Sequence, residues 1–472
     1  MTRFILNQQS ISTDQPPGLP LLDFIRYQQH LKGTKIGCRE GDCGACTILV
    51  GSLENGQVHY RSVTSCLMPL ANAEGKHIVT IEGLNLDELS PVQKAIVEEN
   101  GTQCGFCTVG FVVSLSGFCL SEKEPTYPKA LAAMDGNICR CTGYKSLERA
   151  AKKLVINLKE KTTENGMDWL VKSQFIPAYF PEIPQRLQAL QTQEAKKTVG
   201  FPEEKVEYLI GGGTDLLVQK PEAVQLSTVR TLAQDSGLKG ITNDLGQITI
   251  GGNTTVEELR QSEAMQAAFP ELHQYLKLVS STQIRNMGTV AGNFANASPI
   301  GDLTIFFLAL NATIFLQKSG NHRELPLKEF YLGYKKLAKE PDEIIEKITF
   351  DIPDKNTHFN FEKVSKRTHL DIASVNSAIM LKAESNVIYE AHLSAGGIGP
   401  IPQYFMQTSA FLIGKEIAPE TLKEAATLLQ TEIAPISDAR GSETYKRLLL
   451  RQLFFAHFLK LFPNTLTAEN LL

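Results

Sequence analysis

Eight of the nine cysteines in this 472-residue chain fall into two spaced sets, and that spacing constrains the fold more than any other feature. Cys38, Cys43, Cys46 and Cys66 read C-x4-C-x2-C, followed by a fourth cysteine after a longer interval. This is the plant-type [2Fe-2S] pattern. A loop that folds three thiolates onto one small cluster needs tight backbone turns, and Gly37, Gly41 and Gly44 supply them while letting N–H groups approach the sulfurs. Around the loop, Thr2 to Leu6, Thr47 to Val50 and Val58 to Val63 read as strands, with Asn55-Gly56 as a turn and Leu21, Leu22 and Ile25 as a short helix. That order suits a β-grasp, ferredoxin-like domain.

The second set is Cys104-x2-Cys107 and, further on, Cys139-x-Cys141. Its surroundings read as helical. Ser90-Pro91 marks a helix start, Asn100-Gly101 an end, and Val109 to Leu120 is apolar, with Leu131, Met134 and Leu147 on later helical stretches. Short links between helices imply an antiparallel bundle. Four thiolates alone leave zinc and iron–sulfur equally open; a ferredoxin-type neighbour favours iron–sulfur. Cys119, in the apolar segment, reads as a core residue.

Composition narrows the function class. A formal charge of -4 and the lack of a dense Lys/Arg stretch give no footprint for nucleic acid or an anionic membrane. The start MTRFILNQQS does not read as a secretory leader, and the apolar run Gly110 to Leu120 is too short to span a bilayer. A cytoplasmic protein with reduced thiols is expected. The histidines show no metal-binding spacing, and no G-x-S-x-G elbow appears.

Beyond residue 156, KEKTTENG and the proline-bearing FIPAYFPEIP read as a linker. EYLIGGGTDLLVQ then runs from a strand into Gly211, Gly212 and Gly213, where backbone N–H groups could approach a pyrophosphate; an ordinary turn fits equally well. RNMGTVAGNFANASPIGDL is a second glycine-rich stretch, compatible with a flavin nucleotide or with a tightly packed loop.

GCREGDCGACT, VTSCLMPL, QCGFCTVGF and GNICRCTGY together resemble the iron–sulfur modules of the molybdenum hydroxylases, the xanthine dehydrogenase and aldehyde oxidase family. LIGGGTDL, GNFANASPIGDL and SDARGSETYKR resemble its flavin portion. The resemblance implies an α+β multidomain chain: a β-grasp ferredoxin-like domain (1–83), a four-helix-bundle [2Fe-2S] domain (84–156), a linker (157–175), a PCMH-type α+β FAD-binding domain (176–353) and a C-terminal α+β CO-dehydrogenase-flavoprotein-like domain (354–472). It assigns Cys38, Cys43, Cys46 and Cys66 to the cluster nearer the flavin, and Cys104, Cys107, Cys139 and Cys141 to the one nearer molybdenum.

For FAD it implicates Leu209, Ile210, Gly211, Gly212, Gly213, Thr214, Asp215, Leu216, Thr289, Val290, Ala291, Gly292, Asn293, Asp302, Ile345 and Lys363. The loop Lys363 to Ala373 corresponds to one beside the flavin, but Thr368, His369 and Leu370 stand where animal members are strongly charged. The layout is similar to that of bacterial members in which a separate large subunit carries molybdopterin. No catalytic residue is then expected on this chain. Its implied role is electron transfer from hypoxanthine or xanthine oxidation to NAD, in a heterotetramer or larger assembly. The alternatives are the same module serving an aldehyde or N-heterocycle hydroxylase, and a non-enzymatic iron–sulfur redox sensor.

Overall fold

Strand β1 (Thr2–Leu6) buries Phe4 and Leu6 on one side and Ile5 on the other, so its sheet must be covered on both faces. β2 (Gln9–Thr13) pairs antiparallel with it, and β3 (Thr47–Glu54) and β4 (Gln57–Thr64) form a hairpin whose turn residues Asn55 and Gly56 both have positive φ. β5 (His77–Val79) completes the order β2-β1-β5-β3-β4, parallel to β1 and antiparallel to β3. A helical turn containing Leu21, Leu22, Phe24 and Ile25 covers one face; a helix bundle covers the other.

The bundle is α1 (Pro91–Glu98), α2 (Thr108–Ser121), α3 (Tyr127–Ala133) and α4 (Lys145–Asn157). Ser90 and Gln93 close a capping box at the start of α1, with Pro91 in its first turn. α2 is buried from Gly110 to Cys119 and packs on β3 and β4, which makes it the central helix. The computed structural model describes residues 1–161, 166–194, 206–367 and 370–471. Within them, the segment expected as a linker departs from that reading. Gly166–Lys172 is helical, and Leu170, Phe175, Ile176, Tyr179 and Phe180 join the core around α2. Pro181 sits in the first turn of a 3-10 turn, Phe180–Glu182, where a missing N–H costs nothing.

The first compact unit comprises Met1–Gln234 and Ser281–Gly288, and so includes the parallel pair β6 (Tyr208–Ile210) and β7 (Val229–Thr231). The second comprises Asp235–Ser280 and Thr289–Leu472. Its first sheet contains β8 (Ile241–Asp244), β9 (Gln247–Gly251), β10 (Thr313–Lys318), β11 (Asn321–Pro326) and β12 (Ile344–Asp351), in the antiparallel order β11-β10-β12-β9-β8. The second sheet is an antiparallel meander of β13 (Thr357–Val364), β14 (Val375–Glu384), β15 (Val387–Gly396) and β16 (Gln403–Tyr404). The helix α5 (Asp302–Ala309), apolar after its first residue except for the buried Thr304, shares one core with both sheets. A second core lies on the far face of the meander under α6 (Pro419–Leu429) and α7 (Glu443–Leu461).

A buried histidine makes the first unit acid-sensitive. Nδ1 of His77 accepts from Tyr60 Oη at 2.8 Å and Nε2 donates to the Asn7 carbonyl at 2.9 Å, while burial lowers the pKa to about 4. The unfolded chain takes up a proton near pH 6.5 and the folded one does not. The stabilisation is therefore complete above pH 6.5 and is lost as pH falls toward 4, by up to about 3 kcal/mol. Urea unfolding at pH 7.5 and pH 5 should show a larger loss in the native protein than in His77→Gln, which cannot ionise.

Candidate cofactor sites

The loop between the first helical turn and β3 is shaped around sulfur. Gly41 and Gly44 have φ of 82° and 67°, and Arg39 has φ of 58°. Gly37 is needed for space instead: a Cβ there would lie 2.6 Å from the Cys43 sulfur. The N–H groups of Glu40 and Cys43 donate to Cys38 Sγ at 3.3 and 3.4 Å, and the N–H of Cys38 to Cys43 Sγ at 3.4 Å. Cys46 Sγ and Cys66 Sγ lie 3.4 Å apart, buried. The hydrogen bond with Cys43 and the surrounding N–H groups hold the Cys38 thiol down at about 5, whereas sharing that bond and burial push Cys43 up. Cys46 is likewise lowered by its bond with Cys66. The four thiols thus form two close pairs, in each of which one thiol is lowered and the other raised, a donor set that suits a cluster taking two thiolates per iron.

The second quartet is also paired. Cys104 Sγ and Cys141 Sγ are 3.7 Å apart, and the Cys107 thiol is pushed up by burial and by its neighbour Cys139. Thr142 donates its N–H to Cys139 Sγ at 3.4 Å, and Tyr144, itself at φ 67°, places its hydroxyl 3.1 Å from the Cys139 N–H. Cys104 and Cys141 are exposed while Cys139 is buried. No group of three or more His, Cys, Asp or Glu among the described residues is arranged around a single metal ion. Cys119 is buried in α2, with its thiol pushed up to about 12 by desolvation, as befits a core residue.

The two cysteine loops touch. Ile138 N–H donates to the Cys43 carbonyl at 3.0 Å, Asn137 Nδ2 to the Gly44 carbonyl at 3.2 Å, and Lys35 Nζ to the Gly105 carbonyl at 3.0 Å. The approach leaves no room for side chains, since a Cβ on Gly110 would lie 2.2 Å from the Gly44 oxygen. Gly110→Ala in an ordinary helix would stabilise by about 1 kcal/mol. Here the clash outweighs propensity, and a net loss of about 1–3 kcal/mol is expected in thermal unfolding, with faster iron loss to a chelator.

In the same unit, β6 runs into Gly211, Gly212 and Gly213, the last with φ of 85°, followed by a helical turn, Leu216–Gln219. Asn72 Nδ2 holds the Gly211 carbonyl at 2.8 Å. Among the described residues, the N–H groups of Gly212, Gly213 and Thr214 donate to no other backbone group, a geometry open to a bound anion or to water. A Cβ on Gly212 would sit 2.0 Å from the Met287 oxygen.

The remaining flavin candidates lie in the second unit and converge there. Thr289 Oγ1 accepts from Gly292 N–H at 3.0 Å, and Asn293 Oδ1 accepts from Thr304 N–H and hydroxyl at 3.3 and 3.2 Å. Ala291 N–H donates to Gly252, where a Cβ would fall 2.0 Å from the Ile345 oxygen. Lys363 Nζ, 2% exposed, reaches Asp302 Oδ2 at 2.7 Å, and Asn376 Nδ2 reaches Asp302 Oδ1 at 2.6 Å. Asn376 was not apparent in the sequence; its Oδ1 is buried and unpartnered among the described residues. In the loop after Lys363, Leu370 has φ of 52° and Arg367 N–H donates to Asp371; Thr368 and His369 lie outside the described residues.

Four family models match in succession: "2Fe-2S iron-sulfur cluster binding domain" over residues 4–71, "[2Fe-2S] binding domain" over 80–152, "FAD binding domain in molybdopterin dehydrogenase" over 183–354, and "CO dehydrogenase flavoprotein C-terminal domain" over 361–461. Xanthine dehydrogenase of Emericella nidulans is 28% identical over 97% of this chain and 38% of its own length. Aldehyde oxidase 4 of Cavia porcellus is 26% identical over 97% of this chain and 39% of its own length. The chain thus spans about two fifths of the curated relatives it matches. A chain of carbon monoxide dehydrogenase from Hydrogenophaga pseudoflava shares the fold, with a TM-score of 0.52 and 24% identity over 55% of this chain and 90% of that one. With two [2Fe-2S] domains, an FAD-binding domain and a flavoprotein C-terminal domain matched along its length, the chain belongs to the molybdenum hydroxylase family.

Proposed function

We propose that this chain is the electron-transfer component of a xanthine dehydrogenase-type enzyme, working with a large molybdopterin-binding subunit in the cytoplasm and delivering electrons to NAD. The observation that carries the reading is the direct contact of two paired thiol quartets, Ile138 to Cys43, within one core-bearing unit that also contains the glycine loop. Cys38 and Cys43 would hold one iron and Cys46 and Cys66 the other; Cys104 with Cys141 and Cys107 with Cys139 would divide the second cluster in the same way. Leu209 to Leu216 would receive the FAD pyrophosphate on the N–H groups of Gly212 to Thr214. In the second unit, Thr289 to Asn293, Asp302, Ile345 and Lys363 are the proposed flavin contacts, with Lys363 and Asn376 keeping the Asp302 carboxylate oriented. When bound, the clusters carry electrons singly and the flavin exchanges between one- and two-electron chemistry.

The domain limits proposed are 1–83, 84–156, 176–353 and 354–472. Purine specificity is favoured by the xanthine dehydrogenases among the relatives, and aldehyde oxidase 4 keeps an aldehyde substrate as the second reading. The chain loaded with iron and FAD should oxidise NADH with an artificial dye as acceptor, yet leave xanthine and hypoxanthine untouched until a molybdopterin subunit is added. Purine hydroxylation by the chain alone would overturn the assignment. NADH–dye activity missing from a flavin-replete sample would remove NAD as acceptor, and absence of any bound flavin would favour a redox sensor.

A further inference from the structure

The short segment Ser281–Gly288 lies inside the stretch matched to the FAD-binding family, yet it belongs to the compact unit that holds both cysteine loops. Its polar side chains avoid water: Gln283 is fully buried and Arg285 is 1% exposed. Thr282 N–H and Arg285 Nη2 reach the Asp135 carboxylate at 2.8 and 3.3 Å. Gln283 Nε2 donates to Ser114 Oγ at 3.1 Å, to the Ala133 carbonyl at 3.1 Å and to Asn137 Oδ1 at 3.3 Å. Ser114 Oγ donates to the same Asn137 oxygen at 2.7 Å. Asn137 then uses its Nδ2 on the Gly44 carbonyl and Thr47 Oγ1, at 3.2 and 3.4 Å. Two carboxamides therefore connect the flavin-binding stretch to the turn between Cys43 and Cys46, while the next residue, Ile138, is bonded to Cys43 itself.

A network that served packing alone would not need its own cost. Gln283 Oε1 is buried without a partner among the described residues, and Gly136 must lack a Cβ, which would lie 2.0 Å from that oxygen. An orphaned acceptor is destabilising, and an apolar side chain of the same length would avoid it. What the glutamine retains is donation into the Asn137 junction.

We propose that Gln283 and Asn137 are positioning residues that fix the two cysteine loops against each other, so that the electronic contact between the two clusters depends on a side chain from the flavin-binding stretch. This rests on the cluster assignment above. The test uses the full chain loaded with iron and FAD, the near-isosteric Gln283→Met, and Ser114→Ala as a milder cut in the same network. Iron and FAD content are measured first. Redox titration followed by EPR then reads each cluster's midpoint potential and the mutual broadening or splitting of their signals. Both variants should keep iron and FAD yet lose the native splitting and shift at least one potential, and the double variant should add little to the stronger single one, as residues of one network do. Native splitting and potentials in a fully loaded Gln283→Met would overturn the proposal. If that variant loses iron, native behaviour in loaded Ser114→Ala overturns it instead. A native chain with iron for only one cluster would defeat the cluster assignment and is recognised from the iron content alone.

Discussion

Cys43→Ser is expected to abolish the first cluster and spare the second, and Cys104→Ser to do the reverse, each lowering iron from about four to about two per chain. Serine keeps the size of cysteine but is a poor thiolate substitute, and each thiol is half of a pair whose partner cannot hold an iron alone. Independence follows from packing. Cys46 and Cys66 sit in the core formed by the helical turn and one face of the β-grasp sheet, whereas Cys139 and Cys107 belong to the core around α2. The loops share hydrogen bonds, but neither depends on the other for its buried apolar anchor. Iron analysis with EPR reads both variants, and zinc at the second quartet would contradict the assignment for that site.

Gly212→Val should lower FAD occupancy at least about tenfold while both clusters remain. Its Cβ would stand 2.0 Å from a backbone oxygen that cannot turn aside, and a branched side chain would also cover the N–H groups of the loop. The cysteine loops are fixed by their own turns and cores, so the loss should be confined to flavin absorbance after gel filtration, with iron unchanged. Full flavin occupancy would mean that the glycines form only a turn.

Local chemistry made much of this legible in advance. The Asn55-Gly56 turn and the Ser90-Pro91 start are decided within a few residues, and the structure realises both of them. Gly37 was expected to serve through backbone freedom and serves through the absence of a Cβ beside Cys43, a distinction only the folded loop can make. The proline-bearing stretch before residue 183 reads as linker, yet its aromatic residues are buried against a distant helix and Pro181 occupies a position that helix starts tolerate. Asn137, Gln283 and Asn376 carry no short-range signal at all. Gln283 and Asn137 meet across 146 residues of sequence, and Asn376 meets Asp302 across 74.

The most direct test of the central claim is an anaerobic reductive titration of the purified chain, loaded with iron and FAD, followed by absorbance and EPR. The account predicts uptake of about four electrons per chain, two at the flavin and one at each of two magnetically distinct clusters. Uptake of about two electrons with no cluster signal, or of one or two electrons with no flavin change, would contradict it.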